Sequence, residues 1–472
     1  MKHKTSRRSL DIFRIGLVGL MLPLTLSSTA QTPLRWTAAP SGTEATATSG
    51  TAAASLAPRV SPTQPLPYRT SLPGQNIQPL AAGFDVRAFE TMAEHLTVGQ
   101  RVPGLAMAIV HNGRVLSARG YGITDVKAAE PVDAHTVFRL ASLSKSFAGT
   151  LTGMLVNDGA LRWDSKLVSY LPDFRLSDPN AARNLTVADL LSHRVGLPQN
   201  AYDRELEAYA DYRTLTQKLA NAPLKCQPGT CYSYQNIAFS LVGDIVFAAT
   251  GDFYSQEVQS RILKPLGMND ASLGLEGIES SARWARPHVR GRGGWVSVKP
   301  KSTYYQVAPA AGVNASASDM AQYLLAHTGY RPDVLPAPLL ATLHEPLVST
   351  PTEIRGSSWR RTRLQSASYA LGWRVYNYAG ERVVFHGGAV QGYRGLIAML
   401  PDRDFGVALM WNSESSVPSG MLPTILDRAL GLAPQRWLDV DTDETPLYVD
   451  SRQLPATTPA GSTATKASAA PR

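Results

Sequence analysis

The spacing of apolar residues predicts strands near both ends of the chain and helices between them. Residues 85–96 carry apolar side chains at helical spacing, which predicts a first helix. Two apolar runs, 105–110 and 114–118, flank the dipeptide Asn112-Gly113. Because both residues of this dipeptide adopt positive φ readily, the pattern favours a tight β-hairpin.

The rest of the pattern divides into a helical middle and a strand-rich end. Helical spacing covers residues 142–158, 187–191, 206–220 and 237–249. Strand-like runs follow at 369–376, 382–385, 395–400 and 405–411, and a last helix is predicted at 421–430. This order predicts an α+β fold, in which an antiparallel sheet flanked by helices is joined to a mostly helical lobe. A cleft between two such lobes is a common place for a ligand.

Composition separates this folded part from the two ends of the 472-residue chain. Ala, Ser, Thr, Pro and Gly make up 24 of the 30 residues in 37–66 and 16 of the 19 in 454–472. Such a composition cannot bury a hydrophobic core. We therefore expect a disordered linker over residues 31–82, one folded domain over 83–440 and a low-complexity tail over 441–472.

Residues 1–30 are typical of a signal peptide. They begin with basic residues, continue with an apolar run over 15–26 and end in small residues before Gln31. These features predict export into the periplasm. Because the apolar run is too short to cross a bilayer, the mature chain is predicted to lack a transmembrane span. An uncleaved membrane anchor and a twin-arginine route, suggested by Arg7-Arg8, stay open as alternatives.

The charge and the cysteine content exclude several classes of function. The formal net charge is +9. The first 30 residues hold five basic residues and one acidic residue, so they contribute a net charge of +4 to that total. We therefore predict no nucleic-acid partner, since part of the basic character belongs to the export signal and no binding module is recognised. With two cysteines and no cluster of ligands, neither a metal nor another cofactor is predicted.

Ser142 and Lys145 form the only Ser-x-x-Lys of the chain. If Ser142 begins a helix, Lys145 lies one turn later on the same face, where its amine can reach the hydroxyl. A helix N-terminus favours developing negative charge, and a neighbouring amine of lowered pKa can activate a serine. The motif is short enough to occur by chance, so by itself it leaves the nucleophile open.

Two later motifs add polar groups that suit the same chemistry. Tyr234-x-Asn236 offers a phenol, which can act as a general base once its pKa is lowered, and an amide that can bind a carbonyl and a lysine. His386-Gly387-Gly388 ends a predicted strand, where glycine allows a substrate close to the backbone. Each has a structural alternative: the tyrosine can simply pack against the next helix, and another His-x-Gly in this chain is a hairpin turn.

Together the three motifs resemble those of the serine hydrolases of the β-lactamase and penicillin-binding-protein superfamily. The branch is that of class C β-lactamases, D,D-carboxypeptidases, D-aminopeptidases and related esterases. The motifs stand in the family's order, with first residues 92 and then 152 positions apart. Connecting segments at 190–198, 309–319 and 369–373 are similar too, so the resemblance covers residues 84–430. It implies a β-lactamase/transpeptidase-like fold.

The resemblance also implies which residues carry the reaction. Ser142 would be the acylated nucleophile, while Lys145 and Tyr234 would share the general-base role. The backbone N–H groups of Ser142 and Ala389 would bind the oxyanion. The implied substrate-binding residues are Asn236, His386, Gly387, Gly388 and Ala389. No metal is needed for this chemistry.

The third motif departs from class C β-lactamases, which usually have Lys-Thr-Gly there. His386-Gly387-Gly388 lacks the threonine hydroxyl, and a histidine is only partly charged near neutral pH. The substrate is therefore left open among a β-lactam, a peptidoglycan-type D-amino-acid peptide and a related amide. The alternatives are a short-chain carboxylesterase of the same family and a non-catalytic cell-envelope binding protein, although the intact motifs argue against the latter.

Two pairs of residues near the motifs are further candidates. Cys226 and Cys231 bracket a turn just before Tyr234, and a disulfide there suits an exported protein, although two free thiols are the alternative. Gln199 and Asn200 follow a Gly-Leu-Pro loop that lines the site in the family, so they are candidates for substrate contact.

Three other polar residues are predicted to have structural roles. His193 ends a helix, which favours capping or packing over catalysis, and Asp244 is expected to cap or pair on its helix. His288 lies in a basic, loop-like stretch and matches no motif. The basic stretches at 283–301 and 355–363 are predicted to be solvated loops, with attraction to anionic cell-wall polymers as the alternative.

Overall fold

The computed structural model describes residues 77–438, which form an α+β domain. The helices are α1 (Val86–Thr97), α2 (Ser144–Asn157), α3 (Leu167–Tyr170), α4 (Pro179–Asn184), α5 (Val187–Leu191), α6 (Asp203–Glu207), α7 (Tyr212–Lys218), α8 (Ile237–Thr250), α9 (Tyr254–Val258), α10 (Lys264–Leu266), α11 (Gly274–Glu279), α12 (Ala308–Ala311), α13 (Ala317–His327), α14 (Ala337–Leu343), α15 (Ser358–Arg363) and α16 (Met421–Leu430). The strands are β1 (Gly104–His111), β2 (Arg114–Gly122), β3 (Phe138–Arg139), β4 (Ser272–Leu273), β5 (His288–Gly291), β6 (Gly294–Ser297), β7 (Val313–Ala315), β8 (Val348–Ser349), β9 (Leu364–Tyr369), β10 (Arg374–Tyr378), β11 (Glu381–Val390), β12 (Tyr393–Leu400) and β13 (Phe405–Trp411).

Strands from the two ends of the described chain meet in one antiparallel sheet. Its eight strands run in the order β2-β1-β13-β12-β11-β10-β9-β8. The first hairpin is paired directly with the last strand, with Leu105 opposite Trp411 and Ala108 opposite Ala408. A small second sheet, β3-β7-β4, lies beside the chain that leads into α2.

Each face of the large sheet is covered by an apolar layer. In β1, Leu105, Met107 and Ile109 belong to the core that contains α1 and α16. The alternate residues of the same strand, such as Ala106 and Ala108, belong to the larger core that contains α2, α8 and the other helices of the middle segment. Successive side chains of a strand point to opposite faces, so the sheet carries helices on both sides. This arrangement confirms the predicted fold class.

The local predictions are confirmed at some places and wrong at two. Asn112 and Gly113 have φ angles of 48° and 69°, as a tight hairpin requires, and α16 ends at the predicted residue. The predicted helix over 206–220 is wrong, because α6 stops at Glu207 and α7 begins separately. The side chain of Asp211 accepts a hydrogen bond from the N–H of Thr214 and so caps a new helix.

The predicted strand over 369–376 is also wrong, because the chain leaves the sheet between β9 and β10. Gly372 has a φ of +80°, and a Cβ on it would lie 2.2 Å from the carbonyl oxygen of Lys145. A Cβ on Gly149 would lie 2.1 Å from the carbonyl oxygen of Leu371. The turn between these strands therefore lies directly against the backbone of α2, at a distance that only glycine permits.

Several predictions concern the ends of the chain. The signal peptide, most of the linker and the low-complexity tail lie outside the described residues. Residues 77–82, the end of the predicted linker, are described: the N–H of Gln78 donates to the carbonyl of Asp402, and that of Ala81 to the carbonyl of Ala429. Within residues 77–438, no single helix combines the length and apolar composition of a membrane span, although the bent pair Ile237–Thr250 and Tyr254–Leu266 meets both together.

Candidate active site

Ser142 lies in a short 3-10 turn, Ala141–Leu143, between β3 and α2. The sequence predicted that Ser142 opens the α-helix, but the α-helical hydrogen bonds begin only at Ser144. Ala141 is buried and has a φ of +51°, a conformation that L-residues avoid and that is found most often at functional sites. We call Ala141–Leu143 the Ser142 turn; it leaves Ser142 partly exposed among buried neighbours.

Lys145 lies in the first turn of α2 and is fully buried. Its Nζ donates to Oδ1 of Asn236 at 2.6 Å and to the carbonyl oxygen of Ala310 at 3.2 Å. Both acceptors are neutral. Burial therefore holds the pKa of this amine well below its ordinary value, although the more distant carboxylate of Asp203 opposes the shift. A neutral amine is thus available at a lower pH than for an exposed lysine.

Tyr234 places its phenol beside the nucleophile candidate. The side chain of Ser142 is close enough to lower the pKa of this phenol, and Nζ of Lys145 lies 4.6 Å from the centre of the tyrosine ring. A phenol can act as a general base once its pKa is lowered, but burial raises the pKa of Tyr234 by more than the Ser142 side chain and the charge of Arg374 lower it. In the resting site the phenol is therefore protonated, and Lys145 is the side chain whose pKa moves toward neutrality.

Asn236 connects Lys145 to an acidic cleft. Its Oδ1 accepts from Lys145, and its Nδ2 donates to Oδ2 of Asp203 at 2.7 Å. The hydroxyl of Tyr304 lies 3.5 Å from the same carboxylate oxygen and donates to Oε1 of Glu207 at 2.8 Å. The cleft has a volume of about 640 Å³ and is also lined by Gln199 and Asn200, the two predicted contact residues.

The third motif brings the backbone of β11 against the Ser142 turn. A Cβ on Gly388 would lie 2.4 Å from the carbonyl oxygen of Leu140 and 3.1 Å from the amide nitrogen of Ser142. Any side chain at this position would separate the strand from the turn. Ala389, one residue later and opposite Arg394 in the sheet, has an exposed side chain.

His386 differs from the other residues of this motif, because its ring is fully buried. Nε2 lies 3.0 Å from the hydroxyl of Tyr369, and Nδ1 lies 2.9 Å from the carbonyl oxygen of Gly387. Burial, with the nearby charge of Arg374, holds the pKa of this imidazole well below its ordinary value. The ring is therefore neutral, and it has no exposed surface from which to contact a substrate.

The predicted disulfide between Cys226 and Cys231 is present, with Cα atoms 6.3 Å apart. The loop that it closes lies on the segment after α5: the N–H of Lys225 donates to the carbonyl of Gly196 at 2.7 Å. A Cβ on Gly196 would lie 2.5 Å from the carbonyl oxygen of Cys226. The clip thus holds the irregular stretch that leads into Tyr234 against this segment.

The residues that were predicted to have structural roles have such roles in the structure. His193 is buried behind the site, and Asp244 accepts a hydrogen bond from Tyr212 at 2.8 Å. His288 is not in a loop, as the sequence suggested, but begins β5, where it is buried and hydrogen-bonded to the backbone of Val126 and Asn412. Among the residues that the structure describes, no group of three or more His, Cys, Asp or Glu side chains could hold a metal ion.

Sequence reasoning missed two charged residues of the site, Asp203 and Arg374. Arg374 begins β10, is ion-paired with Glu353 at 2.6 Å and lies 5.6 Å from the centre of the Tyr234 ring. Neither belongs to a short motif, since their partners lie far away in sequence. An acidic residue soon after the Gly-Leu-Pro loop was the one available signal for Asp203, and no signal marked Arg374.

The chain is similar to known proteins over most of this domain. The sequence profile of the β-lactamase family matches residues 75–431. An unguisins hydrolase, ungD', of Aspergillus campestris is 26% identical over 352 residues, which cover 72% of this chain and 64% of that hydrolase. The protein flp of Staphylococcus aureus is 25% identical over 328 residues, 69% of this chain and 63% of that protein. The match thus spans less than two thirds of the length of each relative.

Solved structures share the fold at lower identity. The octameric penicillin-binding protein homologue of Pyrococcus abyssi has a TM-score of 0.66 and 24% identity, over 75% of this chain and 79% of that chain. The D-amino acid amidase of Ochrobactrum anthropi, complexed with L-phenylalanine amide, has a TM-score of 0.60 and 22% identity, over 72% of this chain and 98% of that chain. By its sequence and its fold, this chain belongs to the β-lactamase family, within the superfamily of serine β-lactamases and penicillin-binding proteins.

Proposed function

We propose that this protein is an exported, class C β-lactamase-like serine hydrolase that forms an acyl-enzyme on Ser142 and cleaves an amide bond. One observation carries the proposal. Ser142 lies beside the Tyr234 phenol, whose ring centre is 4.6 Å from the nitrogen of a buried lysine, and both hydrogen-bond acceptors of that lysine are neutral. An amine of lowered pKa next to a hydroxyl is one of the ways in which proteins activate a serine nucleophile.

In the proposed acylation, Oγ of Ser142 attacks the substrate carbonyl while the neutral amine of Lys145 takes up the serine proton. The Tyr234 phenol, which is protonated in the resting site, donates its proton to the leaving nitrogen and recovers one from Lys145. An amine then leaves, and Ser142 carries the acyl group as an ester. Water attacks this ester, its proton passes through the same pair, and Ser142 regains its hydrogen as the acid is released.

The oxyanion in both steps would be bound by the N–H groups of Ser142 and Ala389. The close approach of Gly388 to the Ser142 turn supports this assignment, because it brings the two peptide segments side by side. One donor of this kind contributes about 3–4 kcal/mol to transition-state stabilisation in other hydrolases. Asn236 would bind the substrate in addition to accepting the hydrogen bond from Lys145.

The surroundings of the site favour a peptide or amide over a β-lactam. Recognition of a β-lactam carboxylate needs a cation or hydroxyl at the third motif, whereas His386 is neutral and buried and a glycine replaces threonine. The neighbouring cleft is lined by three acidic residues, Asp203, Glu205 and Glu207, and by one basic residue, Arg204, so acidic groups outnumber the cation and disfavour an anion. The similar proteins include a D-amino acid amidase, which is consistent with a D-amino-acid amide as substrate.

A carboxylesterase is the second candidate, and the same glycine favours it. A short acyl ester carries no carboxylate, so it does not need the missing threonine hydroxyl. Its carbonyl would use the same nucleophile and oxyanion donors. A non-catalytic binding protein is disfavoured, because Ser142, Lys145, Tyr234 and Asn236 are all in mutual contact or linked by hydrogen bonds.

The test is intact mass after exposure to a labelled penicillin, together with turnover of nitrocefin, D-alanine p-nitroanilide and p-nitrophenyl acetate. We expect anilide turnover that the Ser142→Ala variant lacks. Turnover of the acetate alone would favour the esterase, and rapid nitrocefin turnover would favour a lactamase. Labelling that survives Ser142→Ala would exclude Ser142 as the nucleophile.

Export is tested separately, by cell fractionation and by the N-terminal mass of the secreted chain. Cleavage before Gln31 would place the mature start where the sequence predicts it. A chain that keeps residues 1–30 and stays with the membrane would contradict the cleaved signal and favour the anchor.

A further inference from the structure

A buried tyrosine hydroxyl joins two histidines behind the site. The hydroxyl of Tyr369, at the end of β9, lies 3.2 Å from Nε2 of His193 and 3.0 Å from Nε2 of His386. All three side chains are fully buried. His386, the histidine of the third motif, therefore contacts only other groups of the protein, and the proposed reaction does not use it.

The backbone fixes the proton on the first histidine. The N–H of Gln235 donates to Nδ1 of His193 at 3.2 Å, so this nitrogen must present a lone pair. A neutral imidazole then carries its hydrogen on Nε2, and that N–H donates to the oxygen of Tyr369.

The remaining protons follow in order. Tyr369 has one hydrogen, and because its oxygen already accepts from His193, that hydrogen is donated to Nε2 of His386. His386 must then hold its own hydrogen on Nδ1, where the acceptor is the carbonyl oxygen of Gly387 at 2.9 Å. Every donor in the series meets an acceptor, and the two histidines are opposite tautomers.

The electrostatic surroundings favour the same neutral forms. Burial holds the pKa of His193 well below its ordinary value, and the charges of Lys145 and Arg374 add to the effect; burial and Arg374 do the same for His386. The guanidinium of Arg374 lies 5.5 Å from the centre of the Tyr369 ring. Burial also raises the pKa of Tyr369 well above its ordinary value, so the phenol keeps its hydrogen.

We propose that His193, Tyr369 and His386, which we call the histidine chain, form a one-way series of hydrogen bonds that holds the second motif in place relative to the third. One end binds Gln235, which lies between Tyr234 and Asn236. The other end binds Gly387, which precedes the glycine that touches the Ser142 turn. Tyr369 is thus a positioning residue: it contacts no reacting atom but sets the distance between the groups that do.

The first test is nitrogen-15 NMR of the full chain labelled at histidine. Long-range couplings distinguish the two neutral tautomers, and His193→Gln and His386→Gln variants assign the signals. We expect His193 as the Nε2–H form and His386 as the Nδ1–H form, with neither titrating between about pH 5 and 8. Matching tautomers, or titration of either ring in that range, would overturn the proposal.

The second test is Tyr369→Phe, which removes both hydroxyl contacts and keeps the ring. The matched control is Tyr378→Phe, because Tyr378 is equally buried and its hydroxyl donates to Asp427 at 2.6 Å, in the core that contains α1 and α16. We expect both variants to lose thermal stability. Only Tyr369→Phe should react more slowly with a fluorophosphonate probe, by about 10- to 100-fold, since small displacements at a reacting centre cost that much.

An unchanged labelling rate in a folded Tyr369→Phe variant would overturn the positioning role. The outcome is separable from the fate of the proposed function. If the wild-type chain does not react with the probe at all, the acyl-serine proposal fails, while the NMR measurement still decides whether the histidine chain exists.

Discussion

Two cations lie near the ring of Tyr234, the fully buried Lys145 and the mostly buried Arg374, and they differ in what surrounds them. Lys145 has its nitrogen 4.6 Å from the centre of the tyrosine ring and binds two neutral oxygens. Arg374 lies 5.6 Å from the same ring and is ion-paired with Glu353. Burial dominates at Lys145 and holds its pKa well below the ordinary value. At Arg374 burial is outweighed by Tyr376, Tyr232 and Glu353, and the pKa is raised.

Neighbouring groups thus decide whether the pKa of a cation removed from water falls or rises. A cation next to neutral acceptors can lose its proton, whereas a guanidinium next to a carboxylate keeps it under all conditions. Arg374 therefore supplies a constant positive field to Tyr234, and Lys145 can act as a proton acceptor. Four substitutions test this contrast between Lys145 and Arg374.

Lys145→Arg makes the first cation like the second, since it replaces an amine that can deprotonate by a guanidinium that cannot. We expect kcat/KM for any turned-over ester or anilide to fall by about 10²- to 10⁴-fold, the usual contribution of a general base. The control is Lys218→Arg, at an exposed ion pair with Glu205. Activity within a few-fold of wild type in Lys145→Arg would show that a fixed charge is sufficient.

Glu353→Gln leaves the mostly buried Arg374 without its carboxylate and also removes the ion pair of Glu353 with Arg360. Removing one partner of a buried ion pair costs about 3–5 kcal/mol, so urea unfolding should show a loss of that size. The matched change, Glu205→Gln, removes the carboxylate of the exposed pair with Lys218, and at most about 1 kcal/mol should be lost there. Equal losses in the two variants would mean that Arg374 does not depend on its partner.

Asn236→Asp gives Lys145 the kind of partner that Arg374 has. A carboxylate at hydrogen-bond distance raises the pKa of an amine, so the neutral form appears only at higher pH. The acidic limb of the kcat/KM profile should therefore move to higher pH, by about 1–3 units. Asn236→Leu removes the amide without adding charge and should not move the limb upward; an upward shift there as well would contradict this explanation.

Replacing both Cys226 and Cys231 by serine loosens the segment that precedes Tyr234 and leaves both cations intact. The loop is short, so the chain-entropy estimate for its closure is about 2 kcal/mol, to be measured as the change in unfolding free energy. We expect the pH profile to keep its wild-type shape. A displaced acidic limb would show that the clip acts on Lys145 and not only on the fold.

The sequence was informative where function rests on short spacings. Ser142 and Lys145 are three residues apart on one turn, and Asn236 follows Tyr234 by two, so motif reasoning brought these four together and the structure joins them. The fold class could be predicted from the order of strand-like and helix-like segments. Strands near both ends of the domain can pair only if the chain folds back so that its last strands reach its first.

What the sequence could not predict depends on contacts between distant segments. Asp203 meets Asn236 across 33 residues, and Tyr369 meets His193 across 176. The tyrosine was recognised only as part of a connecting segment, and the histidine of the third motif was assigned to the substrate. The break at Gly372 was missed for the same reason, since it results from the close approach of Lys145's backbone and not from local pattern.

The carboxamide of Asn236 has one further consequence. It accepts from Lys145 and donates to Asp203, so it separates two titratable groups while keeping them within range of each other's charge. Burial raises the pKa of Asp203, and Lys145 opposes that rise, while Asp203 in turn opposes the lowering of the Lys145 pKa by burial. Such coupling is reciprocal. A proton or a substrate group in the cleft that neutralises the Asp203 carboxylate would lower the pKa of Lys145. Occupancy of the cleft would then make it easier for Lys145 to lose its proton, without any movement of atoms.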